Sequence, residues 1–316
     1  MVKFPWVIEE MKKRILGVSA LLLCTLIWGF AFIAQSMGMD AMGPLTFQAI
    51  RCLLATVFLF LMATVMDIPR LGLKNALSLW ADPQLLRYGF LCGSVLFIGA
   101  SLQQIGIVYT DAGKAGFLTA MYIVLVPLIG IFTKKKPPVT ALISVVPAVI
   151  GVYLLSCAGV DSINIGDICL LGGALGFAVQ ILLIDRHAGN LSGLRFNCIQ
   201  CLVMSILSLP FMLTEDIRPQ AILDSWGALA FAGILSMGLA YSLQIIGQKK
   251  VEPTAASLIL SLESVFAMLG GWLVLGETMN GRELLGCALM FSAVVISQIP
   301  LPASRRPAPE LPESSL

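Results

Sequence analysis

Apolar residues fill the chain in runs of roughly twenty, separated by short clusters of charge, proline and turn residues. Ten runs stand out, over about 15–36, 44–66, 88–109, 115–133, 138–158, 165–184, 194–213, 226–247, 253–275 and 282–300. A helix of that length crosses the roughly 30 Å hydrocarbon layer of a bilayer at 1.5 Å per residue. In lipid a single segment satisfies its own backbone hydrogen bonds only as a helix. The pattern therefore predicts an all-α polytopic membrane protein with ten transmembrane helices.

Composition strengthens this reading. The 316 residues are 58% hydrophobic and 12% charged, with a mean hydropathy of +0.92, where a soluble domain carries about 25% charged residues. Lys12, Lys13 and Arg14 precede the first apolar run as the basic end of a signal peptide would. That run is too long for a signal core and lacks a small-residue cleavage site, so it reads as the first span. Cys24, Cys52, Cys92, Cys157, Cys169, Cys198, Cys201 and Cys287 all fall inside apolar runs and read as small buried hydrophobes. No Cys/His spacing suits a metal, and no cofactor is expected.

Charge placement sets an orientation. With the N-terminus in the cytoplasm, sixteen of the twenty basic residues fall on the cytoplasmic side: Lys3, Lys12, Lys13, Arg14, Arg70, Lys74, Arg87, Lys134, Lys135, Lys136, Arg186, Arg195, Lys249, Lys250, Arg305 and Arg306. The opposite loops hold Lys114, Arg218 and Arg282, and Arg51 lies within a span. This asymmetry predicts both termini in the cytoplasm. Residues 1–14 form a cytoplasmic N-terminus, and the proline-rich 301–316 reads as a disordered cytoplasmic tail.

The chain also resembles itself. "FQAIRCL" at 47–53 matches "FNCIQCL" at 196–202, an offset of 149, and "LQQIG" at 102–106 matches "LQIIG" at 243–247, an offset of 141. The matches keep their order and pair span two with seven and span three with eight, which points to duplication. Five helices per half is an odd number, so the second half enters the membrane from the opposite side. Two inverted repeats, 15–158 and 165–300, are an architecture of secondary transporters, with a site near the midplane and access that alternates.

"LQIIGQKKVEPTAASLILSLESVFAMLGGWLVLGETMNGRELLGCALMFSAVVIS" at 243–297, with "AGFLTAMYIVLVPLIG" at 115–130 and "IWGFAF" at 27–32, resembles a permease of the drug/metabolite transporter superfamily, EamA family. The resemblance implies ten helices in two inverted five-helix repeats around a central cavity. It also implies a bacterial inner membrane and export of amino acids or other small metabolites. A proline commonly follows the glutamate of span nine in this family; here Ser264 follows Glu263, which removes a proline kink from that helix.

Charge inside lipid costs several kcal/mol unless it meets a partner or water, so Glu263 and Arg51 lead the candidate residues. At 1.5 Å per residue their heights in the membrane differ by about 6 Å, within reach of an arginine side chain. The repeat offsets relate Trp28 to Phe177, Arg51 to Gln200, Gln103 to Gln244 and Tyr122 to Glu263. Tyr241, Gln244 and Gln248 share one stripe of span eight, with Met237 above them. They either line a cavity or bond between helices. Small neighbours of Glu263 at Ala256, Ala267 and Gly270 allow close helix packing or room for a ligand. Trp28 and Tyr122 lie too deep for the interfacial belt and either pack or stack on a ligand. Pro127 and Pro147 are hinge candidates in spans four and five. For Glu263 three roles stay open: an ion pair or hydrogen bond, contact with a substrate cation, or proton coupling.

Other classes fare worse. The sole histidine, His187, sits at a span end, and no aspartate lies deep within a span, so neither a Ser/His pair nor an intramembrane Asp pair is available. Phosphate-binding glycine motifs and rings of like charge are absent, which argues against a nucleotide-driven pump or a channel. The expected partners are a small-molecule metabolite and the lipid bilayer, with a proton or exchanged solute as the coupled species. A homodimer stays open, and nothing points to nucleic acid.

Overall fold

The computed structural model describes residues 5–39, 42–109, 112–132, 137–156, 164–270, 272–273 and 280–299. The tail at 301–316, Cys157 and the basic residues Lys3, Lys134, Lys135, Lys136, Arg305 and Arg306 lie outside them. Every regular element among the described residues is helical. Among the described residues, seven helices are long and apolar enough to cross a membrane, and Ala115–Ile131 and Val139–Leu154 are shorter apolar helices.

The first half comprises α1 (Pro5–Met39), α2 (Pro44–Leu71), α3 (Leu73–Ser78), α4 (Pro83–Tyr109), α5 (Ala112–Ala120), α6 (Tyr122–Ile131) and α7 (Val139–Ser156). The second comprises α8 (Ile165–His187), α9 (Gly193–Met212), α10 (Pro219–Asp224), α11 (Trp226–Ala230), a π-helix (Phe231–Ala240), α12 (Tyr241–Gln248), α13 (Pro253–Leu260), α14 (Glu263–Gly270) and α15 (Gly281–Gln298). Pro44 and Pro253 open their helices where the missing N–H has no intrahelical partner to lose. Capping boxes start α8 (Asn164 with Asp167) and α15 (Asn280 with Glu283).

The structure corrects the helix pattern at several places. The sequence reading leaves α3 and α10 as loops, and α4 begins at Pro83 rather than 88. Spans four and nine are each interrupted, not continuous. At both interruptions the backbone stays near helical angles (Met121 φ −59°, ψ −12°; Ser261 φ −66°, ψ −13°) but tightens to three-residue bonds. Met121 N donates to Leu118 O at 3.3 Å, and Leu262 N to Ile259 O at 3.1 Å. Neither site contains proline. Ser264 N donates to Ser261 O at 3.2 Å, a bond proline could not make. Pro127 lies inside α6, beyond the interruption, and α7 runs on through Pro147.

Close packing runs mostly between the halves: α4 on α8 and α9, α1 on α12 and α14, α2 on α9 and the π-helix, and α7 on α15. The repeat offsets map one set of contacts onto the other. A Cβ on Gly106 would sit 2.6 Å from Leu170 Cγ and 2.9 Å from Gly166 O; one on Gly247 would sit 2.6 Å from Leu21 Cγ and 2.8 Å from Gly17 O. Gly106 and Gly247 are 141 apart, Gly17 and Gly166 are 149 apart, and so are Leu21 and Leu170.

Two carboxylates fasten α2 to α9 at opposite ends. Glu215 accepts from Leu45 N at 3.1 Å, Thr46 N at 2.7 Å and Thr46 Oγ1 at 2.7 Å, capping the N-terminus of α2. At the other end Arg195, in the first turn of α9, pairs with Asp67 of α2, its guanidinium 5.8 Å from the Trp80 ring centre. Thr46 and Arg195 are 149 apart, as are Asp67 and Asp216, the neighbour of Glu215.

Candidate functional site

The residues that follow the helix interruptions of the two halves meet at the wall of a cavity. Tyr122 is the first residue of α6 and Glu263 the first of α14, and Tyr122 Oη donates to Glu263 Oε1 at 3.1 Å. Tyr122 is 4% and Glu263 8% exposed, so in this bond a phenol from one half meets a carboxylate from the other out of bulk water. The cavity has a volume of about 50 Å³. At about 10–15 Å³ per water, that is room for a few waters.

Polar and apolar side chains share the wall. Arg51, Gln35, Gln103, Thr119, Gln180, Gln244 and the Tyr122–Glu263 pair supply the polar part, and Trp28, Phe32, Phe177, Ile181, Met237, Tyr241 and Leu260 most of the rest. Trp28 packs against Tyr241 with ring centres 4.6 Å apart. Seven of the sequence candidates are thus brought together: Glu263, Arg51, Tyr122, Gln103, Gln244, Tyr241 and Trp28. Gln200 stands behind the wall, where its Oε1 accepts from Gln180 Nε2 at 3.4 Å. Gln248, on the same sequence stripe as Gln244, is buried but does not line the cavity.

Arg51 is held by amides. It is 3% exposed, and its Nη1 donates to Gln35 Oε1 at 2.5 Å. Gln104, with its amide oxygen toward the guanidinium, accepts from Nη2 at 3.0 Å and Nη1 at 3.1 Å. No carboxylate lies within ion-pair distance of Arg51 among the described residues, so the ion pair with Glu263 considered from the sequence is not formed in this structure. The second half carries an analogous amide chain: Gln244 Nε2 donates to Gln180 Oε1 at 3.2 Å, and Gln180 continues to Gln200. Trp28 Nε1, Arg51 Nε and Gln244 Oε1 have no hydrogen-bond partner among the described residues. All three residues line the cavity, so its wall keeps hydrogen-bonding capacity that the described residues do not use.

Sequence reasoning missed Gln35, Gln104 and Gln180. Gln180 less 149 falls at Ala31, one helical turn from Gln35 on the same face, so the offset test passes over the pair. The rule that polar groups inside lipid demand explanation would have found all three. Cys198 and Cys201 are spaced C-x-x-C, yet both are buried. Both are free thiols, and they donate to Thr56 O at 3.4 Å and Met237 O at 3.7 Å.

A helical membrane protein with a buried polar cavity fed by interrupted helices is the class this geometry defines. The chain matches the EamA-like transporter family over residues 15–157 and again over 164–298, and it belongs to that family. It is a multi-pass membrane transporter. It is 29% identical over 290 residues to an uncharacterized transporter of Archaeoglobus fulgidus, covering 90% of this chain and 86% of that protein. The uncharacterized transporter YoaV of Bacillus subtilis is 23% identical over 91% of this chain and 97% of its own. The threonine/homoserine exporter RhtA of Salmonella typhimurium is 27% identical over 52% of this chain and 57% of its own. A crystal structure of a protein shares the fold at TM-score 0.73 and 18% identity, covering 91% of this chain and 96% of that one.

Proposed function

We propose that this chain is a secondary transporter that exports a small organic metabolite, an amino acid or related compound, by alternating access around the cavity. The observation that carries the reading is the Tyr122–Glu263 bond, which joins equivalent positions of the two halves beside a buried arginine without a carboxylate partner. Ten spans form two inverted repeats, 15–158 and 165–300, with both termini in the cytoplasm of a bacterial inner membrane. The exchange of packing partners between halves supports the inversion, and the exporter RhtA supports the substrate class.

The cavity's chemistry suits a zwitterion. Arg51, whose Nε has no acceptor among the described residues, takes the substrate carboxylate, and Trp28 Nε1 adds a second donor. Glu263 takes the ammonium group, which displaces the Tyr122 hydroxyl. The apolar wall of Trp28, Phe32, Phe177 and Met237 receives the carbon skeleton. The interruptions at Met121 and Ser261–Leu262, together with Pro127 and Pro147, supply places where α5–α6, α7 and α13–α14 bend as the halves exchange conformation. A proton or an exchanged solute balances the charge moved.

Purified protein in liposomes tests the reading with radiolabelled threonine and homoserine, followed by a wider amino-acid panel. Saturable flux accelerated by unlabelled solute on the other side is expected. Glu263→Gln and Arg51→Lys are expected to abolish it while thermal stability is kept. Non-saturating conductance would indicate a channel, and full flux in either variant would remove the assigned roles.

A further inference from the structure

One part of the cavity wall is shaped by a stretch that the first half lacks. Phe231–Ala240 is π-helical, whereas the residues equivalent at offset 141, 90–99, lie inside the uninterrupted α4. A turn closed by five-residue bonds takes in one residue more than an α-turn. Everything beyond it is rotated by about 100°, one residue's share of a 3.6-residue turn. Met237 in the π stretch, and Tyr241 and Gln244 just beyond it, all face the cavity. If one such turn relaxed to α-helix with α11 held in place, Ala240 and Leu243 would stand where Tyr241 and Gln244 now stand.

The junction is gripped from a neighbouring helix. Asn197 of α9 is fully buried and does not line the cavity. Its Nδ2 donates to Met237 O at 2.8 Å and Gly238 O at 2.9 Å, and lies 3.1 Å from Ser242 Oγ. Ser242 Oγ in turn donates to Gly238 O at 2.7 Å. These carbonyls sit where the π-helix gives way to α12, the point at which the backbone ladder changes step and an inserted side chain can fix the change. The first half offers an internal control. Gln48, related to Asn197 by the 149 offset, donates to the hydroxyls of Ser101 (2.9 Å) and Ser208 (3.3 Å), and its neighbour α4 stays regular.

We infer that Asn197 is a positioning residue: its amide holds the π-to-α junction and so aims Tyr241 and Gln244 into the cavity. It decides whether a bound molecule meets a phenol and an amide there, or Ala240 and Leu243. The functional meaning rests on the cavity being the transport site, but the test reads helix register alone, so its failure is distinguishable from failure of the transport reading.

In the full-length protein, cysteine is placed at Gln244 (Q244C) or Leu243 (L243C) and modified with a small water-soluble methanethiosulfonate. Mass spectrometry follows the reaction above the native thiols. With Asn197 present, Q244C is expected to react several-fold faster than L243C. Asn197→Leu is expected to reverse that order, and Asn197→Gln, which keeps an amide donor, to restore it. If Q244C stays the faster in the Asn197→Leu background, the inference is overturned. Should that variant fail to fold, Asn197→Ala and Asn197→Thr, read with the same two cysteines, decide between the same outcomes.

Discussion

Tyr122 and Glu263 couple the halves through one bond of 3.1 Å, and a hydrogen bond to a carboxylate contributes about 1.5–3 kcal/mol. Tyr122→Phe is expected to lower thermal stability by that order, and to matter much less once Glu263 is already leucine, which offers no acceptor. A double-mutant cycle of melting curves measures the coupling; strict additivity of the two changes would show that the bond is not formed. The charged members of the site were legible in the sequence because lipid makes any carboxylate or guanidinium conspicuous. The amides that hold Arg51 were not, because Gln35 and Gln104 carry no charge and their partner lies on another helix.

At the scale of helices, packing depends on backbones that touch. An alanine at Gly106 or Gly247 would press its Cβ to within 2.6 Å of a leucine Cγ, and such overpacking costs about 1–3 kcal/mol. Gly106→Ala and Gly247→Ala are expected to lower the melting temperature by similar amounts, since the two contacts are related by the repeat. A large loss in one and none in the other would remove that equivalence. Apolar periodicity located the long helices well, because burying or immersing twenty residues leaves a strong signal. The interruptions at Met121 and Ser261 left none: the backbone there only tightens by one residue, with no proline or glycine to announce it. The π-helix escaped for a related reason, since its register is set by Asn197 on a different helix.

For the whole molecule, the α2–α9 pair is fastened at both ends, by Glu215 at one and by Asp67 with Arg195 at the other. Glu215→Gln and Asp67→Asn are each expected to open the cavity toward their own end only. A membrane-impermeant thiol reagent applied to Q103C, in right-side-out and in inverted vesicles, reads this; equal gains from both faces would contradict it. The two fastenings also differ in kind. One sets a side-chain charge against a side-chain charge, with Asp67 28% and Arg195 12% exposed, while the other sets a carboxylate on backbone N–H groups at a helix end. Mobile ions screen the interaction of charges that water can reach over about 8 Å at physiological ionic strength. Added salt should therefore loosen the Arg195 end more than the Glu215 end, so that the ionic strength of the medium itself tilts the resting orientation of the molecule.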